Sequence, residues 1–421
     1  MSGVNRPELL SPAGSMESLK AAVNGGCDAV YLGGKQFSAR QYAGNFDLKE
    51  LEDACDYCHL RGVRVYVTVN TVYKDEELAG FLTYIRSLYE MGVDALIMQD
   101  TGAERLVKAH FPDFPLHAST QMTCNSLADV KYWEGRGFDK IVLSRELSLE
   151  EIKHITENTE AEIETFVHGA LCVCYSGQCI MSSMLGGRSG NRGRCAQTCR
   201  LPYTLYKGYD SMAEGYLLSP KDVMTVEILP QLIEAGIASL KIEGRMKSPE
   251  YVAGVTRIYR KYIDLYFENP EEYKVDPADI KVLQQLFNRG GFTEGYYTSF
   301  AGREMMSIER PKSWGLKVGI VDKYLPKYKK VTIRTREPLV PGDGLEIWTQ
   351  TEPHVGTNVS KHSKAGEVIT ITLEGDINKN DVVYRTFGKA LQDELKKTYE
   401  KDTRKLPIYG MLRVKEGEPI S

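Results

Sequence analysis

The sequence predicts a closed (β/α)8 barrel of the TIM type, interrupted by a cysteine-rich loop and followed by a small all-β barrel domain. Three observations carry this. The first 245 of the 421 residues repeat an amphipathic helical pattern that ends in glycine and runs into a short apolar stretch. Polar residues gather where those stretches end. Beyond Glu309-Arg310-Pro311-Lys312 the rhythm changes to short runs of β-type residues.

Taken in order, the junctions are Gly26-Cys27-Asp28-Ala29-Val30, Gly62-Val63-Arg64-Val65, Gly92-Val93-Asp94-Ala95-Leu96, Gly137-Phe138-Asp139-Lys140-Ile141 and Gly236-Ile237-Ala238-Ser239-Leu240. Glycine just past a helix supplies the left-handed position there, and each following run is short enough for a strand buried on both faces. Candidate strands begin near Leu9, Ala29, Val63, Ala95, Pro115, Ile141, Ile163, Tyr216 and Ser239, with helical patterns such as 75–91 and 149–157 between them. A closed barrel takes eight strands, so one of these candidates is not a stave, and the segment at Tyr216 is expected to drop out. An open doubly wound sheet is the alternative, although no G-x-G-x-x-G turn follows the first strand.

In the C-terminal part, β-type runs cover 315–321, 330–334, 345–348, 367–373 and 381–385, two of them following the turn sequences Pro341-Gly342-Asp343-Gly344 and Asn378-Lys379-Asn380-Asp381. A charged helical tail begins near Lys389. The expected division is a catalytic barrel over 1–312, with the cysteine-rich loop at 168–215, and a β-barrel domain with its tail over 313–421.

The composition narrows the class. With 42% hydrophobic and 26% charged residues the chain is neither collagenous nor disordered, and no apolar stretch approaches membrane length. The opening residues lack the basic and apolar regions of a secretory signal, so a cytoplasmic location without membrane attachment is expected. The 53 Lys+Arg against 57 Asp+Glu leave a net charge of −4, so any nucleic acid must be bound by a local patch.

Five of the nine cysteines fall in HGALCVCYSGQCIMSSMLGGRSGNRGRCAQTCRLPY. Cys172, Cys179, Cys195 and Cys199 have the spacing C-x6-C-x15-C-x3-C, and four thiolates can hold a tetrahedral zinc or a cubane iron-sulfur cluster. The absence of paired C-x2-C knuckles favours iron-sulfur over structural zinc, and Cys174 is a spare that could replace Cys172. Unliganded cysteines in a polar loop are the plain alternative. Cys55 and Cys58 share one helical face with Leu48 and Leu51, which reads as core packing rather than a redox pair.

In a β/α barrel the reactive groups lie at the C-terminal strand ends. The residues expected there include Asn70, Gln99, His117, Gln121, Arg145, Glu146, His168, Lys241, Glu243 and Arg245. His168, Lys241, Glu243 and Arg245 are the candidate catalytic residues. Arg145, Arg188, Arg192, Arg200, His117 and Gln121 are the candidate substrate-binding residues, the arginines suiting carboxylate or phosphate. Packing and capping would use the same residue types. Lys317, Lys323, Lys327, Lys329, Lys330, Arg334 and Arg336, interleaved with Tyr324 and Tyr328, form a candidate nucleic-acid patch in the terminal domain, or a solvated strand face.

The segments HGALCVCYSGQC, NRGRCAQTCR, LSPKD and KIEGRMKSPEYVAGV, with the opening ELLSPAGSMESLKAAV and the later GDGLEIW and NDVVYRT, resemble the collagenase-like peptidase family, number thirty-two of the unclassified U peptidase series. The resemblance implies a barrel-like catalytic domain, a terminal β-barrel and a 4Fe-4S cluster on Cys172, Cys179, Cys195 and Cys199. It also implies oxygen-independent hydroxylation, with prephenate as co-substrate of the RNA-modifying members. The length and two-domain arrangement look most like members that form 5-hydroxyuridine at the tRNA wobble position, with tRNA and a paralogous protein as expected partners. Hydroxylation of ribosomal RNA or a quinone precursor, a peptidase activity and a non-catalytic RNA-binding role are the alternatives. Neither H-E-x-x-H nor G-x-S-x-G occurs to support a zinc or serine peptidase.

Overall fold

The computed structural model describes residues 4–40, 44–298, 302–350, 352–407 and 409–412. The first seven staves are β1 (Glu8–Pro12), β2 (Ala29–Gly33), β3 (Arg64–Val69), β4 (Ala95–Met98), β5 (Leu116–Ala118), β6 (Lys140–Val142) and β7 (Glu162–Ala170). An insertion then carries the hairpin β8 (Tyr203–Lys207) and β9 (Asp210–Gly215), and β10 (Asp222–Met224). The eighth stave, β11 (Ser239–Ile242), pairs in parallel with both β7 and β1 and closes the ring. Closure excludes the doubly wound alternative. Tyr216 lies outside any strand, immediately after β9, as the count of eight requires.

The junction glycines do what their positions imply. Gly26, Gly62, Gly92, Gly137 and Gly236 all take positive φ, between 65° and 94°, and reverse the chain from helix to strand. Helix starts are capped in kind: Asp47 and Ser148 form capping boxes with Glu50 and Glu151, and Ser148 leads the helix Leu149–Thr156. The segment expected to be helical over 75–91 is a short 3-10 turn, Asp75–Glu77, running into the helix Leu78–Glu90.

One apolar layer fills the space between strands and helices, including Leu32, Val67, Leu96, Ile141 and Leu240, together with Cys55 and Cys58. A second, small cluster of Leu10, Ala29, Tyr31, Tyr66, Ala95 and Ile97 fills the barrel interior. The end of β7 continues past the barrel, where β10 pairs with it antiparallel and β12 (Phe292–Thr293) pairs with β10.

The C-terminal sheet consists of β13 (Leu316–Leu325), β14 (Lys330–Thr335), β15 (Gly344–Trp348), β16 (Val355–Asn358), β17 (Val368–Thr372) and β18 (Val382–Phe387), in the antiparallel order β16-β15-β18-β13-β14-β17. The small all-β domain expected from the sequence takes the form of an antiparallel half-barrel: among the described residues no pairing joins β16 to β17. Closure depends on strand number and shear, which alternation in sequence does not encode. β16 escaped the sequence reading because Val355-Gly356-Thr357-Asn358 has one apolar residue and no alternation.

The helix Lys389–Tyr399 returns to the barrel, where Leu395 is buried and Tyr399 donates to Glu250 at 2.7 Å. Gln285 and Arg385 exchange hydrogen bonds between the barrel and the sheet, at 2.9 and 2.7 Å. Among the described residues no helix is long and apolar enough to cross a membrane.

Candidate active site at the barrel mouth

The barrel axis carries charge in layers. At the base, the Glu8 carboxylate accepts from Lys140 at 2.8 Å, Ser239 at 2.9 Å and Tyr66 at 2.6 Å, and pairs with Arg64. Burial alone would raise the Glu8 carboxyl, but Lys140 and Arg64 outweigh it and hold the group below its ordinary value. One layer up, Lys241 donates to Glu164 at 2.7 Å, with its ammonium 4.5 Å from the centre of the Tyr31 ring. Ser239 bridges the two carboxylates, reaching Glu164 at 3.0 Å. Lys140, Glu164 and Lys241 are all buried. Buried charges persist in such a core because each is paired and hydrogen-bonded.

Above these layers two guanidinium groups, of Arg40 and Arg145, pair with one carboxylate, and a third, of Arg245, adds its field. Glu243, the residue just past the end of β11, lies 3.5 Å from Arg40 and 3.7 Å from Arg145. Burial would raise the Glu243 carboxyl, yet Arg40, Arg145, Arg245 and Lys241 together keep it low and ionised. Arg145 stacks 4.0 Å from the centre of the Phe166 ring. Arg245 is buried and donates to Thr68 at 2.6 Å, Ser38 at 2.9 Å and Asn45 at 3.1 Å, all neutral acceptors. The guanidinium lies close against Gly33, whose missing side chain makes the room: a Cβ there would stand 2.8 Å from Nη2. The Nε atoms of Arg145 and Arg245 are buried without a partner. Burial, then the neighbouring Arg40, lowers the Arg245 guanidinium to about 10.

The cysteine loop closes over this mouth. Arg145 donates from Nη1 to the Cys172 sulfur at 3.8 Å, which ties the arginine trio to the first cysteine. Gly193, at φ 75°, lets the loop touch the segment after β2: a Cβ there would lie 2.6 Å from the Ser38 carbonyl oxygen. Arg192 forms a two-pronged pair with Glu77, each contact 2.7 Å, and Glu146 accepts from the Ser176 amide and hydroxyl at 3.2 Å. Arg200 donates to Ser219 at 2.7 Å and to the Leu171 carbonyl at 2.9 Å, fastening the loop's two ends together.

The four candidate ligands share one neighbourhood: the Cys199 thiol is raised by burial and then by Cys172, Cys195 and Cys179. Cys174 is raised by burial and next by Cys179. The donor set therefore has the chemistry of a four-thiolate centre. Among the described residues no three His, Cys, Asp or Glu side chains stand at ligating geometry, so the thiols are gathered without being closed on one point.

The sequence-derived candidates separate into two groups. Glu243, Arg245 and Arg145 meet at the mouth, and Gln121 joins them at its rim, where Gln99 donates to Asn70 and to Asn191 of the loop at 2.9 and 3.2 Å and Gln121 donates to Asn70 at 3.4 Å. The others lie elsewhere. Lys241 is one layer down and engaged by Glu164. His117 lies deep in the barrel against the Tyr66 ring at 4.5 Å, and burial followed by Lys140 lowers its imidazole well below the ordinary range. His168 packs among Tyr251, Tyr259 and Phe292, where burial and then Lys247 lower it to about 3. Arg192 and Arg200 clamp the loop, and Arg188 is exposed, donating to the Arg194 carbonyl at 3.0 Å. In the C-terminal basic strip Lys329 and Arg334 are engaged by Glu374 and Asp322 at 2.5 and 3.3 Å.

Sequence reading missed Arg40, Ser38 and Asn45, which sit in the loop after β2 where no periodicity marks a strand end. It also missed Lys247, whose ammonium stands 2.7 Å from the centre of the Phe287 ring and falls to about 7 through burial. Its place six residues after Lys241 in KIEGRMK was the available signal.

Comparison with known proteins bears on this arrangement. The family model described as peptidase family U32 matches residues 14–307. The chain is 36% identical to tRNA hydroxylation protein P1 of Bacillus subtilis strain 168, over 82% of this chain and 83% of that protein. It is 39% identical to the 23S rRNA 5-hydroxycytidine synthase of Escherichia coli strain K12, over 86% of this chain and 55% of that longer protein. It is 36% identical to a collagenase of Porphyromonas gingivalis strain W83, over 70% of this chain and 74% of that protein.

Proposed function

The chain belongs to peptidase family U32, and from that membership and the mouth geometry we propose that it is an RNA hydroxylase, forming 5-hydroxyuridine at the tRNA wobble position with a prephenate-derived oxygen donor. The observation that carries the reading is the group of Arg40, Arg145 and Arg245 around the single carboxylate of Glu243, linked to the cysteine loop through Arg145 and Cys172. Such a site holds more positive than negative charge, with Arg145, Glu243 and Arg245 largely buried and Arg40 partly exposed, which suits a small dicarboxylate such as prephenate. The names of the tRNA- and rRNA-modifying relatives support RNA as the second substrate.

Cys172, Cys179, Cys195 and Cys199 would hold a 4Fe-4S cluster, which supplies redox and Lewis-acid chemistry when bound. Around it, Arg245 is oriented by Thr68, Ser38 and Asn45 to receive one carboxylate, and Arg145 is oriented by Phe166. Glu243, held ionised, would take the proton that leaves the uridine carbon as the C–O bond forms and return it to the new hydroxyl oxygen, while the oxygen donor gives up its oxygen and is reduced by two electrons. Lys241 and Glu164 hold the strand that presents Glu243.

The test is nucleoside mass spectrometry of tRNA from cells lacking this protein and its paralogues, complemented with wild type, C179A or R245K. Hydroxylated uridines that return with wild type alone support the reading. Unchanged tRNA after deletion and complementation overturns it and turns attention to ribosomal RNA, quinone precursors and the peptidase activity.

A further inference from the structure

The hairpin β8–β9 stands apart from the rest of the fold. Both of its faces are exposed along most of its length, and the described contacts hold it only at its base. There Tyr203 donates to the Thr198 carbonyl at 2.8 Å, and the Tyr216 amide donates to Ile308 at 2.8 Å. A lone two-stranded ribbon is marginal in water. This one also carries Leu205, Tyr206, Tyr209 and Met212 outward, with Tyr206 60% and Tyr209 103% exposed. Exposed apolar side chains gathered in this way mark a contact surface.

Charge selects the partner. Residues 172–215, the cysteine loop and the whole ribbon, contain Arg188, Arg192, Arg194, Arg200 and Lys207 against Asp210 and Glu214, a net charge of +3 in a chain whose net charge is −4. Arg192 and Arg200 hold the loop in place, while Arg188, Arg194 and Lys207 lie at the surface. Cations beside exposed aromatic rings match a strand of unpaired nucleotides, with phosphates for the cations and bases for the rings. The ribbon begins four residues after Cys199, so whatever it grips is delivered beside the mouth.

We propose that the ribbon β8–β9, with the adjoining cysteine-loop surface, is the arm that holds the single-stranded part of the RNA substrate, Tyr206 and Tyr209 stacking on bases and Lys207 meeting phosphate. This rests on the RNA-hydroxylase reading above and assigns to it the surface that places the RNA.

The experiment measures binding of a fluorescently labelled tRNA anticodon stem-loop to the full chain over a range of salt, for wild type, Y206A/Y209A and K207E, with Y132A on a distant exposed helix as control. All replaced side chains are exposed, and circular dichroism checks that each variant folds. Loss of two stacking rings is expected to weaken binding roughly ten- to hundred-fold. K207E is expected to lower the slope of log affinity against log salt by about one. Y132A should bind as wild type. Equal affinity of Y206A/Y209A and wild type overturns the proposal while leaving the hydroxylase reading intact. The same holds if the ribbon variant loses only self-association or a protein contact. Wild type that neither binds the stem-loop nor changes cellular tRNA overturns both.

Discussion

Arg245 donates from Nη1 to the Thr68 hydroxyl at 2.6 Å, and its remaining described partners, Ser38 and Asn45, are neutral as well. A buried guanidinium fixed by neutral groups keeps its charge for a ligand. R245K should lower hydroxylated nucleoside in complemented cells by about a hundredfold with the fold intact, because a lysine cannot make the two-pronged contact. G33A, which puts a Cβ against Nη1 and Nη2, should give the same defect in weaker form. Wild-type nucleoside levels in R245K would remove Arg245 from the site.

Lys241 and Glu164 form the pair that separates structural from catalytic roles along the axis. K241M strands a fully buried carboxylate and should cost about 3–5 kcal/mol of stability in urea or guanidinium unfolding. The double variant K241M/E164L removes both charges and should recover most of that loss. Recovery of stability without recovery of activity would assign Lys241 a part in the chemistry as well.

Lys247 makes stability depend on pH in a defined window. Its ammonium falls from an ordinary 10.5 to about 7 through burial, with Asp222 opposing the shift and Arg289 adding to it. Between those values the unfolded chain binds the proton and the folded chain does not, so stability should rise with pH from about 7 to about 10.5. In K247M that rise should shrink relative to wild type, as read from denaturation midpoints at several pH values.

The Arg192–Glu77 pair ties the cysteine loop to the turn after β3. Both side chains are about one-third exposed, so E77Q should change global stability by about 1 kcal/mol or less. The loop itself should loosen. Trypsin cleavage at Arg188 and Arg194 is expected to accelerate several-fold, and, on the proposed iron-sulfur reading, iron content after anaerobic purification to fall.

The fold was legible where local chemistry repeats. Five glycines after helices marked five helix-to-strand reversals, and the requirement for eight staves correctly rejected Tyr216. At the site, Glu243, Arg245 and Arg145 were found because strand ends mark the mouth. His168 was expected at a strand end, but β7 runs on to Ala170 and keeps it within the strand, where it packs on Tyr251 and Tyr259 of the helix Pro249–Glu268. Arg40 was invisible for a different reason: it belongs to an irregular loop, and only the folded chain shows that this loop curls over Glu243.

The insertion between β7 and β11 also has a meaning in time. Until β11 leaves the ribosome, β1 and β7 each have an open edge, and the strand that seals both arrives roughly 70 residues after β7, about four to fourteen seconds later. During that interval Glu164 has no Lys241, so the nascent sheet holds an unpaired carboxylate on β7 along its future axis. Inward-pointing charges of this kind discourage strand edges from joining a neighbouring chain. The pair that later pins the finished barrel thus begins as a safeguard against premature assembly.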